Sequence, residues 1–208
     1  MAQQRGAKRR GRRASTSKLF GSLAAVSLVA VVGIVGTRAA ISATTVNAGN
    51  QFNAGEISIA DNDAGSFMYK VDNALPGDSV SKCIQVTYSS PTALKSNVSL
   101  YLTPSIDTVG PYVDMKVDVG TQSAVSFPDC TGFTAAVPTL YTGTLGDFAT
   151  AHGTAATGLT YSPNGTDPWA NGDKVVYKVT LTLQNATRPA GADFSGLHTY
   201  TWQATSAA

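Results

Sequence analysis

The chain has 208 residues, with 15 Lys or Arg against 13 Asp or Glu and a formal net charge of +2. The bases are unevenly placed. Seven fall in the first eighteen residues (Arg5, Lys8, Arg9, Arg10, Arg12, Arg13 and Lys18), and every acid lies beyond residue 39. Residues 40–208 therefore hold seven bases against thirteen acids, net −6, which argues against DNA or RNA as a partner.

Behind the basic segment, "LFGSLAAVSLVAVVGIVG" (19–36) is uncharged. A basic n-region, an apolar h-region and then small residues form the pattern of a secretory signal. Thr37-Arg38-Ala39 supplies the small-x-small site, so cleavage is expected between Ala39 and Ala40. The apolar run is also just long enough to span a bilayer, and an uncleaved signal anchor is the alternative. Arg12 and Arg13 lack the Phe and Leu expected right behind a twin-arginine pair. The predicted organisation is a signal segment, 1–39, and one domain, 40–208, with membrane contact only through the signal. The expected location is the cell surface, the extracellular matrix or the medium.

The domain's acids are twelve Asp and one Glu, a balance that suits turns and strands rather than helices. The new N-terminus, "AISATTVNAGNQFNAG" (40–55), is uncharged and begins with small and β-branched residues. Such a segment lacks the usual protection against pairing with a sheet edge. Ile41, Ala43, Thr45 and Val46 are the candidate donor positions for strand addition to a neighbouring copy. The alternative is a segment that is disordered or pairs within its own domain.

Weak strands are predicted in "QFNAGEISI" and "SFMYKV". Between them, "DNDAG" sets Asp61 and Asp63 before Gly65, like the opening of a calcium loop, but the closing bidentate Glu is missing, which favours a solvated turn. "PGDSVSKCIQVTYSS" reads as a turn entering a strand, with Val80, Ile84, Val86 and Tyr88 on one face and Cys83 in phase with the polar face. "LKSNVSLYLT" aligns Leu94, Val98, Leu100 and Leu102. "YVDMKVDV" sets Val113, Met115, Val117 and Val119 inward and Asp114, Lys116 and Asp118 outward. "SAVSF" is a further candidate strand, and a short helical turn is expected near "GTLGDFAT". "KVVYKVTLTLQ" sets Val175, Tyr177, Val179, Leu181 and Leu183 against Val176 and Lys178, and "GLHTYTWQAT" aligns His198, Tyr200, Trp202 and Ala204. Seven or more such strands separated by turn clusters predict an all-β domain of two antiparallel sheets packed face to face.

Cys83 and Cys130 are the only cysteines. In an exported chain a lone pair is most simply one disulfide, against the alternative of two free thiols. If "FPDCTGF" crossed the polar face of the Cys83 strand, the bond would explain a thiol in that phase. Closing a loop of about 48 residues is worth roughly 4 kcal/mol in the chain-entropy model.

"GTRAAISATTVNAGNQFNAGEI" (36–57) resembles the start of the TasA and camelysin family, exported through the SipW type of signal peptidase. Gly36, Thr37 and Ala39, and then Gly49, Asn50, Phe52, Ala54, Gly55 and Ile57, carry the resemblance. "LPGDSVSKCIQVTYS", "LYTGTLGDF" and "TYTWQA" extend it in order over most of residues 20–205. The chain differs from the family in having Ala40 and Ile41 where an aromatic pair usually follows the cleavage site. The cysteine pair also lies outside the fibre-forming relatives' pattern. The resemblance implies a jelly-roll-like sandwich, a surface or matrix location and self-assembly into fibres, with a metalloprotease label from the camelysin branch.

A zinc protease needs a ligand set such as His-Glu-x-x-His. This chain has only His152 and His198, far apart, and its one Glu, Glu56, adjoins neither. His152 reads as a loop residue and His198 as a satisfied histidine at a strand start. No serine lies in a Gly-x-Ser-x-Gly elbow. The chain is predicted not to be an enzyme and to need no metal or cofactor. Asn97-Val98-Ser99, Asn164-Gly165-Thr166 and Asn185-Ala186-Thr187 fit the glycosylation sequon but read as ordinary strand and turn polar residues. Trp169, in a loop, reads as covering a core edge rather than stacking on a sugar. The expected function is a structural protein that self-associates, with other surface proteins as further partners. The alternatives are a monomeric binding module for carbohydrate or protein and, behind it, a secreted metalloprotease.

Overall fold

The computed structural model describes residues 57–103, 106, 108–188 and 197–207, and the backbone alone for 42–46 and 50–52. All of these belong to one unit, Ala40–Ala208. The predicted leader and its cleavage site, Ala39 and Ala40, lie outside the described residues, as do Ile41 and Glu56.

The described residues form two antiparallel sheets. The first has the order β2 (Asn50–Phe52), β1 (Ser42–Val46), β10 (Thr199–Ser206), β5 (Ser96–Thr103) and β8 (Leu159–Thr160). The second has the order β3 (Ser58–Asp61), β4 (Ser79–Ser89), β9 (Lys174–Leu183), β6 (Val113–Gln122) and β7 (Phe133–Thr144). A 3-10 turn, Gly110–Tyr112, precedes β6, and one helix, α1 (Leu145–Ala151), follows β7. The Thr144 hydroxyl caps α1 by accepting from the Asp147 amide at 3.0 Å, which satisfies one of the donors a helix start leaves open.

The period-two strands bury the faces that their sequence assigns to the interior. Ile84, Val86 and Tyr88 of β4, Val98, Leu100 and Leu102 of β5, and Met115, Val117 and Val119 of β6 are buried, as are Tyr177 of β9 and Tyr200 and Trp202 of β10. These side chains form one continuous core with Phe148 of α1 and Trp169. Entry into β4 is set by the turn at Pro76-Gly77-Asp78. Gly77 adopts φ +91°, which suits glycine, and the Asp78 carboxylate accepts from the Leu75 amide at 2.8 Å.

Several expected elements differ. "QFNAGEISI" is not one strand but supplies two, β2 and β3, which lie in different sheets. "SFMYKV" is no strand: Met68 is buried while Phe67 and Val71 are exposed, and the segment pairs with no sheet. The edge of β4 that it would need is already in use, since the Asn62 carboxamide and the Pro128 carbonyl take the Gln85 and Cys83 amides at 2.8 and 3.1 Å. "SAVSF" is likewise irregular backbone, with a cis Phe127–Pro128 bond. Two strands, β7 and β8, lack a clear alternating signal. Strand β7 contains Pro138, and its register on β6 shifts around Asp118, where the buried carboxylate accepts from the Thr139 amide at 2.5 Å. A Cβ on Gly120 would lie 2.0 Å from the Thr134 carbonyl oxygen, so β7 approaches β6 this closely only because that residue is glycine.

Candidate functional site

The N-terminal strand is built into the sheet of its own chain. Strand β1 runs antiparallel to β10 with Ser42 opposite Thr205, Thr44 opposite Gln203 and Val46 opposite Thr201. Strand β2 returns along its other side, with Thr44 opposite Phe52. Of the candidate donor positions, Ala43, Thr45 and Val46 therefore lie in this seam, with Thr45 directly opposite Trp202. Strand β10 is fixed on its far side by eight register pairs with β5.

The second feature is a strap. Residues 123–132 leave β6, reach the edge of β4 and return to β7. The Gln122 carboxamide holds the strap's base by donating to the Asp129 and Thr131 carbonyls at 2.8 and 3.0 Å. The Cys83 amide donates to the Pro128 carbonyl, and Cys83 and Cys130 form a disulfide with a Cα–Cα distance of 5.2 Å. Cys83 is 1% exposed although its neighbour Ile84 fills the inner core, so β4 is covered on both faces at this point. Val176, also predicted to face outward, is buried on the opposing strand, and Lys178 Nζ lies 5.8 Å from the Phe133 ring centroid. Cys83 and Val176 are thus buried outside the continuous core of the sandwich. Beside the bond, the Thr131 hydroxyl holds the exposed Asp129 carboxyl below the usual carboxylate range.

The remaining sequence candidates have local roles. His152 is not in a loop but at the C-terminal cap of α1. One ring nitrogen, Nδ1, lies 2.7 Å from the Thr157 carbonyl oxygen, and the ring packs against Tyr141 and Phe148. His198 immediately precedes β10, with its Nε2 bonded to the Tyr69 hydroxyl, which also lies 2.8 Å from the Tyr200 hydroxyl. Burial pushes both tyrosines up in pKa. Trp169 is fully buried and donates its indole N–H to the Tyr161 carbonyl at 2.6 Å, a core position with no face left for a sugar. In the Asp61–Gly65 turn the Asp63 carboxylate accepts from the Gly65 amide at 2.7 Å. Burial raises the Asp63 carboxyl to about 6, opposed by that amide and reinforced by Asp61. Among the described residues no three His, Cys, Asp or Glu side chains gather as a metal site, and no helix is long and apolar enough to cross a membrane.

What the sequence does not announce is a cleft at one end of the sandwich, about 910 Å³ in volume. Its inner wall comes from the mouths of both sheets and from α1: Val80 of β4, Val113 of β6, Leu145 of α1, Leu181 and Leu183 of β9, and Tyr200 of β10. Residues 67–74, which take in most of the segment expected to be a strand (66–71), form one side of the cleft, with Met68 buried in it and Phe67 and Val71 exposed at the rim. Arg188 and His198 complete the lining. The available signal was "SFMYKV" itself, an apolar stretch between two turn clusters with no strand to pair with. No protein-family model and no curated protein matches the chain.

Proposed function

We propose that this chain is an exported, non-enzymatic structural protein of the cell surface or extracellular matrix, and that it assembles by exchange of its N-terminal strand. The observation that carries the reading is the β1 seam. The strand next to the predicted cleavage site closes its sheet on β10 with five register pairs. A second copy's β1 offers the same backbone and the same side chains to that position. Donor strand and acceptor groove are different surfaces of one chain, so the contact is head-to-tail and propagates as a filament. Strand order supports a jelly-roll architecture of the kind the TasA and camelysin resemblance implies. Leaving out β2 and β3, the eight other strands, renumbered 1 to 8 in chain order, run 1-8-3-6 in one sheet and 2-7-4-5 in the other.

Against catalysis weigh the two histidines, each already engaged by protein groups, one at a helix end and one by a tyrosine hydroxyl. The end cleft favours a second reading, a monomeric surface binding module. The two readings separate by sedimentation and electron microscopy of protein beginning at Ala40 and protein beginning at Asn50. Concentration-dependent filaments that need residues 40–49 support assembly through β1. A protein that remains monomeric at every concentration and pH leaves the binding-module reading.

A further inference from the structure

The cleft's chemistry narrows what it can hold. Its volume lies within the roughly 300–1,000 Å³ of small-molecule sites, and its deep wall is aliphatic, from Val80, Val113, Leu145 and Leu181. Its polar groups are mostly spoken for. Tyr69 bonds both His198 and Tyr200, Asp78 accepts from the Leu75 amide, Ser79 is bonded to Thr182, and Asp72 lies 3.5 Å from Lys70. A sugar, which needs several free donors and acceptors, finds few here. Arg188 is the charged exception, beside the uncharged Asn73 and Thr199 of the lining. It is half-buried in the lining, and among the described residues no carboxylate lies within ion-pair distance of it. A guanidinium against an aliphatic wall calls for one anionic group attached to apolar bulk. The exposed Phe67, Val71 and Leu197 carry the apolar surface outward from the cleft.

We propose that the cleft binds a single-chain amphipathic anion, a long-chain carboxylate, with its alkyl tail against Val80, Val113 and Leu145 and its head group on Arg188. The proposal stands apart from the assembly reading, because β1 contributes nothing to the cleft's described lining.

The probe is dodecanoate, kept below its micelle-forming concentration and titrated calorimetrically into protein from cells expressing the full chain. Saturable one-to-one binding is expected. Arg188→Gln should weaken it about tenfold or more, the size of a charge-assisted hydrogen bond converted to affinity, and dodecanol should bind the unaltered protein correspondingly weakly. Val80→Trp, which fills the cleft, should abolish binding of both. Thermal unfolding shows that each variant remains folded, and Arg188→Gln, a change at the rim, keeps the test decisive if Val80→Trp does not fold. Affinity unchanged in Arg188→Gln overturns the proposal. So does adsorption to vesicles of anionic phospholipid without binding of monomeric dodecanoate, which would make the exposed rim a membrane contact instead.

Discussion

The two sheets are closed in different ways. In the β3-β4-β9-β6-β7 sheet, a strap from the middle of the chain crosses to β4 and is fixed there by a covalent bond between Cys83 and Cys130. In the β2-β1-β10-β5-β8 sheet, the strand next to β10 is supplied by the start of the domain and is held by a main-chain ladder of five pairs. The first closure joins positions separated by 47 in the sequence, so losing it enlarges the unfolded ensemble of the whole domain. The second involves the strand nearest the start of the domain, and among the described strands β2 has its only ladder with it. One sheet is thus fastened by a covalent bond, and β1 is held to the other by main-chain pairing alone. Under the proposed strand exchange, the covalent closure would keep the subunit folded while β1 changes partner.

The largest effect should come from breaking the staple. Cys83→Ser is expected to lower stability by about 4 kcal/mol, from loop-closure entropy and the loss of buried cover on β4. Denaturant unfolding measures it, and a change below about 1 kcal/mol would mean that the strap holds without its bond. A smaller and more local effect is expected at the seam. Thr44 has a strand on each side, so Thr44→Pro removes a ladder hydrogen bond whichever way its amide points, at a cost of about 1 kcal/mol. Hydrogen exchange should find the β1 amides opening well before those of β9, and Thr44→Pro should widen the gap. Equal protection of β1 and β9 would remove the contrast between the two closures.

A pH-dependent effect concerns the turn after β3, where Asn62 caps the same edge of β4 that the strap reaches. The folded Asp63 carboxyl is raised from 3.8 to about 6, so between these values the folded chain binds more protons than the unfolded one. Stability should therefore fall as pH rises from about 4 to about 6 and level off above that window. Asp63→Asn, which keeps an acceptor for the Gly65 amide, should flatten the profile.

How far the fold could be read from residues alone depended on what covers each strand face. Strands β4, β5, β6, β9 and β10 alternate clearly because their inner faces meet a single continuous core. Cys83, Val176 and Asp118 break that logic: all three are buried on positions that alternation assigns outward, and Cys83 and Asp118 meet partners remote in sequence there. The cysteine pair was the one residue-level clue to the strap, and it was sufficient for the bond. Strand β7 gave no periodic signal because it is an edge, largely exposed along its length and interrupted by Pro138. The cleft was illegible because its wall is assembled from separate segments and its cation, Arg188, belongs to no motif.

The central claim, that β1 exchanges between copies, is tested most directly by a cross-link at the seam. Thr44 and Gln203 face each other across β1 and β10, so one chain carrying Thr44→Cys and another carrying Gln203→Cys are mixed under assembly conditions and mildly oxidised. Exchange predicts a covalent dimer between the two variants, and a ladder of higher oligomers when both substitutions are placed in one chain. If the doubly substituted chain closes only on itself at every concentration and the mixture yields no cross-linked dimer, β1 stays in its own sheet and the account is contradicted.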